Sequence, residues 1–285
     1  MRLAIIGRKG QLAQATLALA ERRGLSVISF SRKEWPLEKV FPIPSNLIRF
    51  APTHLLLAAA YTAVDKAELE PGKAFAVNAL STARIATWCK EEGVRLLYPS
   101  TDYVFDGEKR SGYWFDDLPN PLSAYGSSKW WGEQAALSAP GTLVARTSWL
   151  YGLGPSSFPF KVINRARKGE VAVVDDQFST PTWVGTFARL VLDLAAVEVE
   201  GIVHASAKGK CSWHTFAQQL LLRVGYSGEV GFLNTPSLAL PARRPIFSQL
   251  CENRWEIWGI TPPPVWEEDL DSFFGREIRE ETTQY

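Results

Sequence analysis

The sequence is poor in cysteine and almost neutral in charge. Its three cysteines, Cys89, Cys211 and Cys251, are too few and too widely spaced for a disulfide framework or a zinc site. We therefore predict buried thiols in a reducing compartment. The chain carries 31 basic and 30 acidic residues, a net charge of +1. This balance argues against a protein that binds nucleic acid or a membrane surface, because such proteins normally carry a basic patch.

Long hydrophobic runs and metal-ligand patterns are missing as well. The first residues, MRLAIIGRKG, hold an apolar run that is far too short for a signal peptide or a membrane span. The three histidines, His54, His204 and His214, are scattered and lack the spacing typical of metal ligands. We therefore expect a cytoplasmic protein that is not anchored in a membrane and binds no metal.

The chain does contain short apolar segments that alternate with helical patterns. The apolar segments predict strands at residues 3–6, 27–30, 53–59, 94–98 and 142–146. The main helical patterns between them cover residues 12–19, 67–87 and 126–137. Strands that are apolar throughout and alternate with helices are typical of a parallel sheet covered on both faces. The predicted fold class is therefore α/β, with a doubly wound, Rossmann-type sheet.

The composition changes after residue 149, where the segment YGLGPSSFPF is dense in glycine, proline and serine. We assign residues 1–149 to a domain that binds a dinucleotide, and we expect residues 175–206 to return to it. Residues 150–174 and 207–285 would form a smaller C-terminal region that binds substrate. The tail of this region is rich in proline and tryptophan, so we expect only short helices there.

A glycine loop follows the first predicted strand. Gly7 and Gly10 stand directly after it, and Ala13 occupies the place of a third glycine. Glycine permits a tight turn and lets the backbone approach a pyrophosphate at a helix N-terminus, where free N–H groups favour anions. An ordinary turn between a strand and a helix would show the same two glycines, so the motif is weak when taken alone.

The end of the second predicted strand bears on the type of cofactor. A ribose 2′-hydroxyl is usually bound there by an acidic residue. This chain has Ser31, Arg32 and Lys33 at that point, a hydroxyl and two cations that suit a 2′-phosphate. The pattern favours NADPH, with Arg32 as a binding residue. Arg32 and Lys33 could instead be solvated loop charges, and Glu34 leaves NADH as an alternative.

A tyrosine and a lysine stand four positions apart at the head of a predicted helix. Tyr125 and Lys129 would lie on one face, one turn from each other. A nearby cation favours the ionised form of a phenol, which would let Tyr125 exchange a proton with a carbonyl. The fourth strand ends in Ser100, Thr101 and Asp102, at the edge of the sheet where ligands bind. Those hydroxyls could also simply cap the following turn.

Together these motifs give the chain a resemblance to the extended short-chain dehydrogenases, and within them to the dTDP-4-dehydrorhamnose reductases. The matching segments follow the order of that family over most of the chain. They are GRKGQLA (7–13), AAAYTAVDKAELEP (58–71), VNAL (77–80), STDYVFDG (100–107), PLSAYGSSKWWGE (121–133), RTSWLYG (146–152), DDQFSTPT (175–182) and ARRPIFSQL (242–250).

The resemblance implies a specific reaction. The family reduces the C4 keto group of dTDP-4-dehydro-6-deoxy-L-mannose to give dTDP-L-rhamnose, with NADPH as cofactor and NADH as an alternative. Thr101, Tyr125 and Lys129 match its catalytic trio. Tyr125 would donate the proton and Thr101 would orient the carbonyl. Lys129 would hold the nicotinamide ribose and lower the pKa of Tyr125.

The resemblance also assigns binding residues. The positions that match the cofactor site are Gly7, Gly10, Gln11, Leu12, Ala60, Tyr61 and Thr62, together with Tyr125 and Lys129. The positions expected at the substrate are Thr101, Asp102, Trp149, Gln177, Phe178 and Arg243, with Arg244 as an alternative to Arg243. Each also has a plainer explanation, such as a turn cap for Asp102, a core position for Trp149 and a solvated patch for the two arginines.

The chain departs from the family pattern in places. Leu57 replaces a usual asparagine, and Trp35 and Pro36 stand where an acidic residue is usual, so adenosine contacts differ. Ala15 replaces a glutamate that joins a magnesium site in some relatives. We therefore expect no magnesium, and a monomer or homodimer.

Two other functions stay open: reduction of a different nucleotide-linked 4-keto-6-deoxysugar, and a non-catalytic, cofactor-binding regulatory subunit.

Overall fold

The computed structural model describes residues 1–39, 42–169 and 171–275. The last ten residues of the predicted C-terminal region therefore lie outside the described part. The first half of the chain forms β1 (Arg2–Ile6), α1 (Gln11–Arg22), β2 (Ser26–Phe30), α2 (Ser45–Phe50), β3 (His54–Leu57), α3 (Val64–Leu69), α4 (Pro71–Phe75), α5 (Ser81–Glu92), β4 (Arg95–Thr101), α6 (Ala124–Leu137) and β5 (Leu143–Thr147).

The second half contains shorter strands between helices. Its elements are β6 (Leu150–Tyr151), α7 (Phe158–Ala166), β7 (Ala172–Val174), β8 (Phe178–Ser179), β9 (Thr182–Trp183), α8 (Val184–Ala196), β10 (Gly201–His204), β11 (Cys211–Ser212), α9 (Trp213–Arg223), β12 (Gly231–Leu233) and α10 (Trp266–Phe273). Short 3₁₀ helices cover Asp102–Val104 and Thr235–Leu238, and a π-helical turn covers Ala76–Leu80.

The central sheet has the order β10-β5-β4-β3-β1-β2, and all its neighbouring strands are parallel. Every residue of β3 and of β5 is buried, as expected for strands covered on both faces. The predicted doubly wound α/β fold is confirmed. Between β2 and β3 the chain crosses from one side of β1 to the other, and this switch point opens a crevice at the carboxyl ends of β1 and β3.

Apolar layers cover both faces of the sheet. On one face, side chains of α1 and α8 such as Leu12, Phe187 and Leu190 pack on the strands. The same cluster continues without a break into the second half of the chain, where it includes Phe216 and Leu270. On the other face α5 and α6 supply the apolar cover. The proposed division into a cofactor domain and a substrate region stays a prediction, although α8 packs on the central sheet and β10 is its edge strand.

The prediction of one continuous alanine-rich helix over residues 67–87 is wrong. It is divided into α3, α4, the π-helical turn and α5. Pro71 begins α4, where its missing N–H and fixed φ are tolerated, but it interrupts the hydrogen bonding of the preceding turn. The break brings Asn78, in the π-helical turn, to a buried position.

Helix α6 approaches β4 closely because two of its residues are glycines. A Cβ atom at Gly126 would overlap the backbone carbonyl of Tyr103. A Cβ atom at Gly132 would overlap the hydroxyl of Tyr98 and the carbonyl of Asn78. Any larger residue would force the helix away from the strand.

A buried ion pair joins α6 to β5. The Arg146 guanidinium donates to both carboxylate oxygens of Glu133, with Nε–Oε1 at 2.9 Å and Nη2–Oε2 at 2.7 Å. Both side chains are almost fully buried, at 1% and 0% exposure. The guanidinium also lies 5.0 Å from the centroid of the Phe105 ring. Because neither charge meets water, each depends on the other for compensation.

We expect Arg146→Met to lower the free energy of unfolding by about 3–5 kcal/mol, since it leaves the Glu133 carboxylate buried without its partner. Adding Glu133→Gln should recover part of that loss. Arg223→Ala serves as the control, because it removes an ion pair with Asp271, whose side chain is 65% exposed, and should cost less than about 1 kcal/mol. Urea unfolding measures all four proteins. Equal losses for Arg146→Met and Arg223→Ala would contradict the prediction.

Candidate active site

The carboxyl ends of β1, β3 and β4 open onto a cleft of about 820 Å³. The structure brings to this cleft residues that are far apart in the chain, which is what the switch point of a doubly wound sheet predicts. The predicted site residues in its lining are Gly7, Gly10, Gln11, Leu12, Arg32, Ala60, Tyr61, Thr62, Thr101, Asp102, Tyr125, Lys129 and Trp149.

The glycine loop forms a cradle at one end of the cleft. Gly7 has a φ of +103°, and a Cβ atom there would lie 2.7 Å from the backbone nitrogen of Ala59. Gly10 caps α1; within the described residues this cap has no side-chain hydrogen bond, and the first turn contains no acidic residue. The first backbone N–H groups of α1 are therefore available to an anion at the cleft. Such a cradle fits the pyrophosphate of a dinucleotide.

The residues after β2 are already engaged with one another. Arg32, whose side chain is 81% exposed, pairs with Glu38 at 2.8 Å. The Glu34 Oε2 atom accepts hydrogen bonds from the backbone and hydroxyl of Ser31 and from the Arg8 guanidinium. These contacts, with those from Ser31 the largest, lower the pKa of Glu34. Arg32 and its partner Glu38 both line the cleft.

Asn78 holds the segment after β3 in place. Its side-chain oxygen accepts from the Tyr61 N–H at 2.8 Å, and its amide donates to the Tyr61 carbonyl at 3.0 Å. The same amide donates to the Ser128 hydroxyl on α6 at 2.9 Å. Asn78 therefore ties the cofactor-side loop to the helix of Tyr125. Sequence reasoning missed this role, although a polar residue inside an apolar helical pattern was a signal.

The catalytic trio predicted from the sequence meets in the middle of the cleft. Thr101 is the last residue of β4, and Tyr125 lies in the first turn of α6, which Ser123 caps. Thr101 and Tyr125 line the same part of the cleft, and the Tyr125 ring packs edge-on against Tyr103. Lys129 is 4% exposed, and its Nζ donates to the Pro99 carbonyl at 2.7 Å. The catalytic roles of these residues stay predictions.

The expectation that Lys129 lowers the pKa of Tyr125 is wrong for this structure. Burial raises the pKa of Tyr125 to about 12, although the neighbouring Thr101 hydroxyl partly opposes the rise. Burial also lowers the pKa of Lys129 to about 7, against an opposing effect of Glu133. Desolvation is the largest cause of both shifts, and at neutral pH the phenol keeps its proton.

An aromatic stack forms one wall of the cleft. The rings of Trp149 and Trp213 are 3.6 Å apart and nearly parallel, and Phe158 packs beside Trp213. Trp149 has a φ of +44°, an unusual conformation for so large a residue. Trp213 comes from α9 and was not singled out in the sequence, because its neighbour in space is 64 positions away.

Two hydroxyl groups in the cleft are free to bind a ligand. Ser100 and Thr147 are 5% and 7% exposed, and within the described chain their hydroxyl oxygens have no hydrogen-bond partner. Both residues line the cleft at the carboxyl ends of β4 and β5. A buried polar group without a partner is costly, so this position suits a polar ligand.

Three predicted substrate residues do not line the cleft, although all three are among the described residues. Gln177 donates to the Thr235 hydroxyl at 2.7 Å, and Phe178 stacks on Phe247. Arg243 is exposed on the surface. Its alternative, Arg244, pairs with the Asp65 carboxylate at 2.8 Å. Contacts of these residues with a substrate stay predictions.

The described residues contain no group of three or more side chains that could hold a metal ion. Within the same part of the chain, no helix is both long and apolar enough to cross a bilayer. Cys89 and Cys211 are buried and Cys251 is half-buried, each as a free thiol.

Comparisons with known proteins agree with this geometry. The sequence model of the family described as "RmlD substrate binding domain" matches residues 1–278. The chain belongs to the RmlD family. It is 37% identical over 282 residues to a dTDP-4-dehydrorhamnose reductase of Sinorhizobium fredii, covering 94% of this chain and 95% of that protein. It is 31% identical over 275 residues to a dTDP-4-keto-6-deoxy-D-glucose reductase of Streptomyces niveus, covering 95% of each.

A solved structure has the same fold. The crystal structure of dTDP-4-dehydrorhamnose reductase from Bacillus anthracis in complex with NADP matches with a TM-score of 0.92 at 31% identity, covering 96% of this chain and 98% of that one. The resemblance inferred from the motifs is therefore confirmed.

The low pKa of Lys129 makes stability depend on pH. Between pH 7 and about 10 the unfolded chain binds a proton at this lysine that the folded protein does not bind, so the free energy of unfolding rises with pH. We expect Lys129→Met to remove up to about 1.4 kcal/mol per pH unit of that rise. Urea unfolding of both proteins across this range, without added ligand, measures it. Parallel curves for the two proteins would contradict the shifted pKa.

Proposed function

We propose that this chain is an NADPH-dependent reductase that converts the C4 keto group of dTDP-4-dehydrorhamnose into a hydroxyl, giving dTDP-L-rhamnose. The observation that carries the proposal is the meeting of Thr101, Tyr125 and Lys129 in one cleft beside the phosphate cradle, in a chain of the RmlD family. That the relative from Bacillus anthracis binds NADP supports the choice of cofactor.

The residues present fit such a cofactor. The N-terminus of α1 would hold the pyrophosphate, and Arg32 would face the 2′-phosphate. Ala60–Thr62, fixed by Asn78, would line the cofactor, and Lys129 would hold the nicotinamide ribose. Burial lowers the pKa of Lys129 to about 7, and its Nζ carries N–H donors for the ribose hydroxyls whether or not it is charged. When bound, the reduced nicotinamide supplies the hydride to C4.

Tyr125 would complete the reduction with a proton. Its pKa of about 12 keeps the phenol protonated at neutral pH, which is the state a proton donor requires. As negative charge develops on the C4 oxygen, the phenol would donate its proton to that oxygen. Hydride and proton together convert the keto group into a hydroxyl. Thr101, which lines the cleft with Tyr125, would orient the carbonyl.

The proposed substrate is a nucleotide-linked sugar, and the aromatic stack of Trp149 and Trp213 is the wall that we expect it to meet. We expect the protein to act as a monomer or homodimer. Its free thiols agree with a location in the cytoplasm, where cysteines stay reduced. A regulatory subunit without catalysis is disfavoured, because pure cofactor binding does not require the phenol of Tyr125 together with Thr101 in the cleft.

A second substrate has support from the relative of Streptomyces niveus, a dTDP-4-keto-6-deoxy-D-glucose reductase. The two sugars are both dTDP-linked and both carry a keto group at C4. Turnover of each sugar by the purified protein, followed by identification of the product, separates the two proposals. A preference for the D-gluco sugar would replace the first proposal with the second.

We expect Tyr125→Phe to lower kcat by roughly 10²- to 10⁴-fold, because phenylalanine keeps the ring but has no proton to donate. NADPH binding should change little. The loss of NADPH absorbance with the keto sugar measures the rate, and fluorescence titration measures binding. Tyr226→Phe is the matched control, since Tyr226 does not line the cleft among the described residues. Unchanged turnover in Tyr125→Phe would mean that another group donates the proton.

The pair of Arg32 and Glu38 should set the preference between cofactors. Arg32→Ala is expected to weaken NADPH binding roughly tenfold and NADH binding much less, because only NADPH carries the 2′-phosphate. Glu38→Gln frees the guanidinium and should tighten NADPH binding about two- to fivefold. Calorimetric titration of each variant with NADPH and with NADH measures the two affinities.

Lys33→Ala is the control for these variants. Lys33 is exposed and, among the described residues, lies outside the lining of the cleft. Its replacement should leave the ratio of the two affinities unchanged. If Arg32→Ala weakened NADPH and NADH binding equally, Arg32 would not be the 2′-phosphate ligand.

A further inference from the structure

Thr147 is a buried threonine of the cleft, at the end of β5, whose hydroxyl has no use inside the protein. Its side chain is 7% exposed, and among the described residues its hydroxyl oxygen makes no hydrogen bond. The next residue, Ser148, is also buried, but its hydroxyl donates to the Thr180 carbonyl at 2.7 Å. A buried hydroxyl without a partner costs free energy, so we expect the partner of Thr147 to come from a ligand.

The register of the sheet places Thr147 beside Thr101. The two residues are paired on neighbouring parallel strands, so their side chains lie on the same face of the sheet. Ala145, two positions earlier on β5, belongs to the core that α1 and α8 cover. Ser100, another cleft residue, pairs with Arg146 and therefore lies on the opposite face. Thr147 is thus on the side of α1, whose N-terminus forms the phosphate cradle.

The groups assigned to the cofactor follow the order of the strands along the edge of the sheet. Arg32 follows β2, the glycine cradle follows β1, Ala60–Thr62 follow β3, and Lys129 donates to Pro99 on β4. Neighbouring strands are about 4.8 Å apart, so these positions form a row from the 2′-phosphate to the nicotinamide ribose. The next strand in the row is β5, which ends in Thr147. The next group of the cofactor is the nicotinamide ring.

We propose that the Thr147 hydroxyl binds the carboxamide of the nicotinamide ring and so orients the ring at the end of the cleft where Thr101 and Tyr125 lie. This inference rests on the proposed reductase function and adds a contact that the sequence motifs did not assign. A carboxamide offers both a donor and an acceptor, and a threonine hydroxyl can pair with either. The sugar is the other polar ligand expected in the cleft, and the test separates the two.

The first test is the binding of two ligands to Thr147→Val, which lacks the hydroxyl but keeps a branched side chain of similar size. We expect NADPH to bind roughly three- to tenfold more weakly, because one hydrogen bond to the cofactor is lost. Adenosine 2′,5′-bisphosphate, which carries the adenosine half of NADPH without the nicotinamide, should bind with unchanged affinity. Calorimetric titration measures both Kd values. Unchanged NADPH binding, or an equal loss with both ligands, would overturn the proposal.

The same variant should stabilise the protein when no ligand is present. Valine puts an apolar group where the structure leaves a hydroxyl without a partner, so we expect Tm to rise by roughly 1–3 °C. Weaker binding together with a higher Tm is not the result expected of a residue with a merely structural role. A fall in Tm would mean that the hydroxyl is bonded within the protein, and the proposal would be wrong.

Thr147→Ser separates the hydroxyl from the packing of the side chain. Serine keeps the hydroxyl and loses only the methyl group, so NADPH should bind within about twofold of the wild-type affinity. A loss as large as that in Thr147→Val would assign the effect to packing and contradict the proposal.

Thr16→Val is the matched control. Thr16 lies on α1, is fully buried, and its hydroxyl oxygen also makes no hydrogen bond among the described residues. It does not line the cleft that those residues form. Its replacement should raise Tm in the same way and leave the Kd of NADPH unchanged. If Thr16→Val weakened NADPH binding as much as Thr147→Val, the effect would not be specific to the cleft and the proposal would fail.

The kinetics of the sugar distinguish this proposal from the proposed function. The KM of the keto sugar should stay within about twofold of wild type in Thr147→Val, measured at saturating NADPH. A raised KM of the sugar with unchanged NADPH binding would place the hydroxyl at the sugar and overturn the proposal. If wild-type protein bound NADPH but reduced no keto sugar, the proposed function would fail, while the binding data would still decide the role of Thr147.

Discussion

The close approach of α6 to β4 is the constraint on which the whole site depends. Helix α6 carries Tyr125 and Lys129, and β4 ends in Thr101. The two elements come together only because Gly126 and Gly132 have no side chains where the strand and its following turn press against the helix. All three side chains of the trio extend from these two elements, so the spacing of the two backbones fixes the geometry of the trio.

That approach also sets the protonation states. Packing α6 on β4 removes water from Tyr125 and Lys129, and desolvation then moves their pKa values apart, to about 12 for Tyr125 and about 7 for Lys129. The sequence argument for a lowered tyrosine pKa considered the charge of the neighbour but not the loss of solvent. A protonated phenol is the more useful state for reduction, because the reaction consumes a proton at the carbonyl oxygen.

Local patterns in the sequence were sufficient for much of the fold. The apolar strands, the glycine loop after β1 and the polar end of β4 are each specified by residues that are close together in the chain. Each lies close to its predicted place in the structure. The parallel sheet then brings the ends of β1, β3 and β4 to one edge, so the main members of the cleft could also be predicted. The helix over 67–87 failed because Pro71 was given too little weight.

Pairings between distant side chains could not be predicted in the same way. Asn78 meets Ser128 across 50 positions, and Asp102 meets Ser248 across 146. Nothing in either residue's local sequence specifies the partner, since the contact exists only after the sheet and its flanking segments have assembled. The same holds for the stack of Trp149 on Trp213, which required α9 to fold against the cleft.

The buried pair of Glu133 and Arg146 links the stability of the fold to the chemistry of the site. Glu133 lies one turn beyond Lys129 on α6, and its negative charge raises the pKa of that lysine against the effect of burial. Arg146 holds Glu133 from β5 and partly neutralises it. The charge on Lys129 near neutral pH is therefore set by two opposite effects, of which burial is the larger. Both effects come from the packing of α6, so a shift of the helix would alter Lys129 even if no residue of the trio changed.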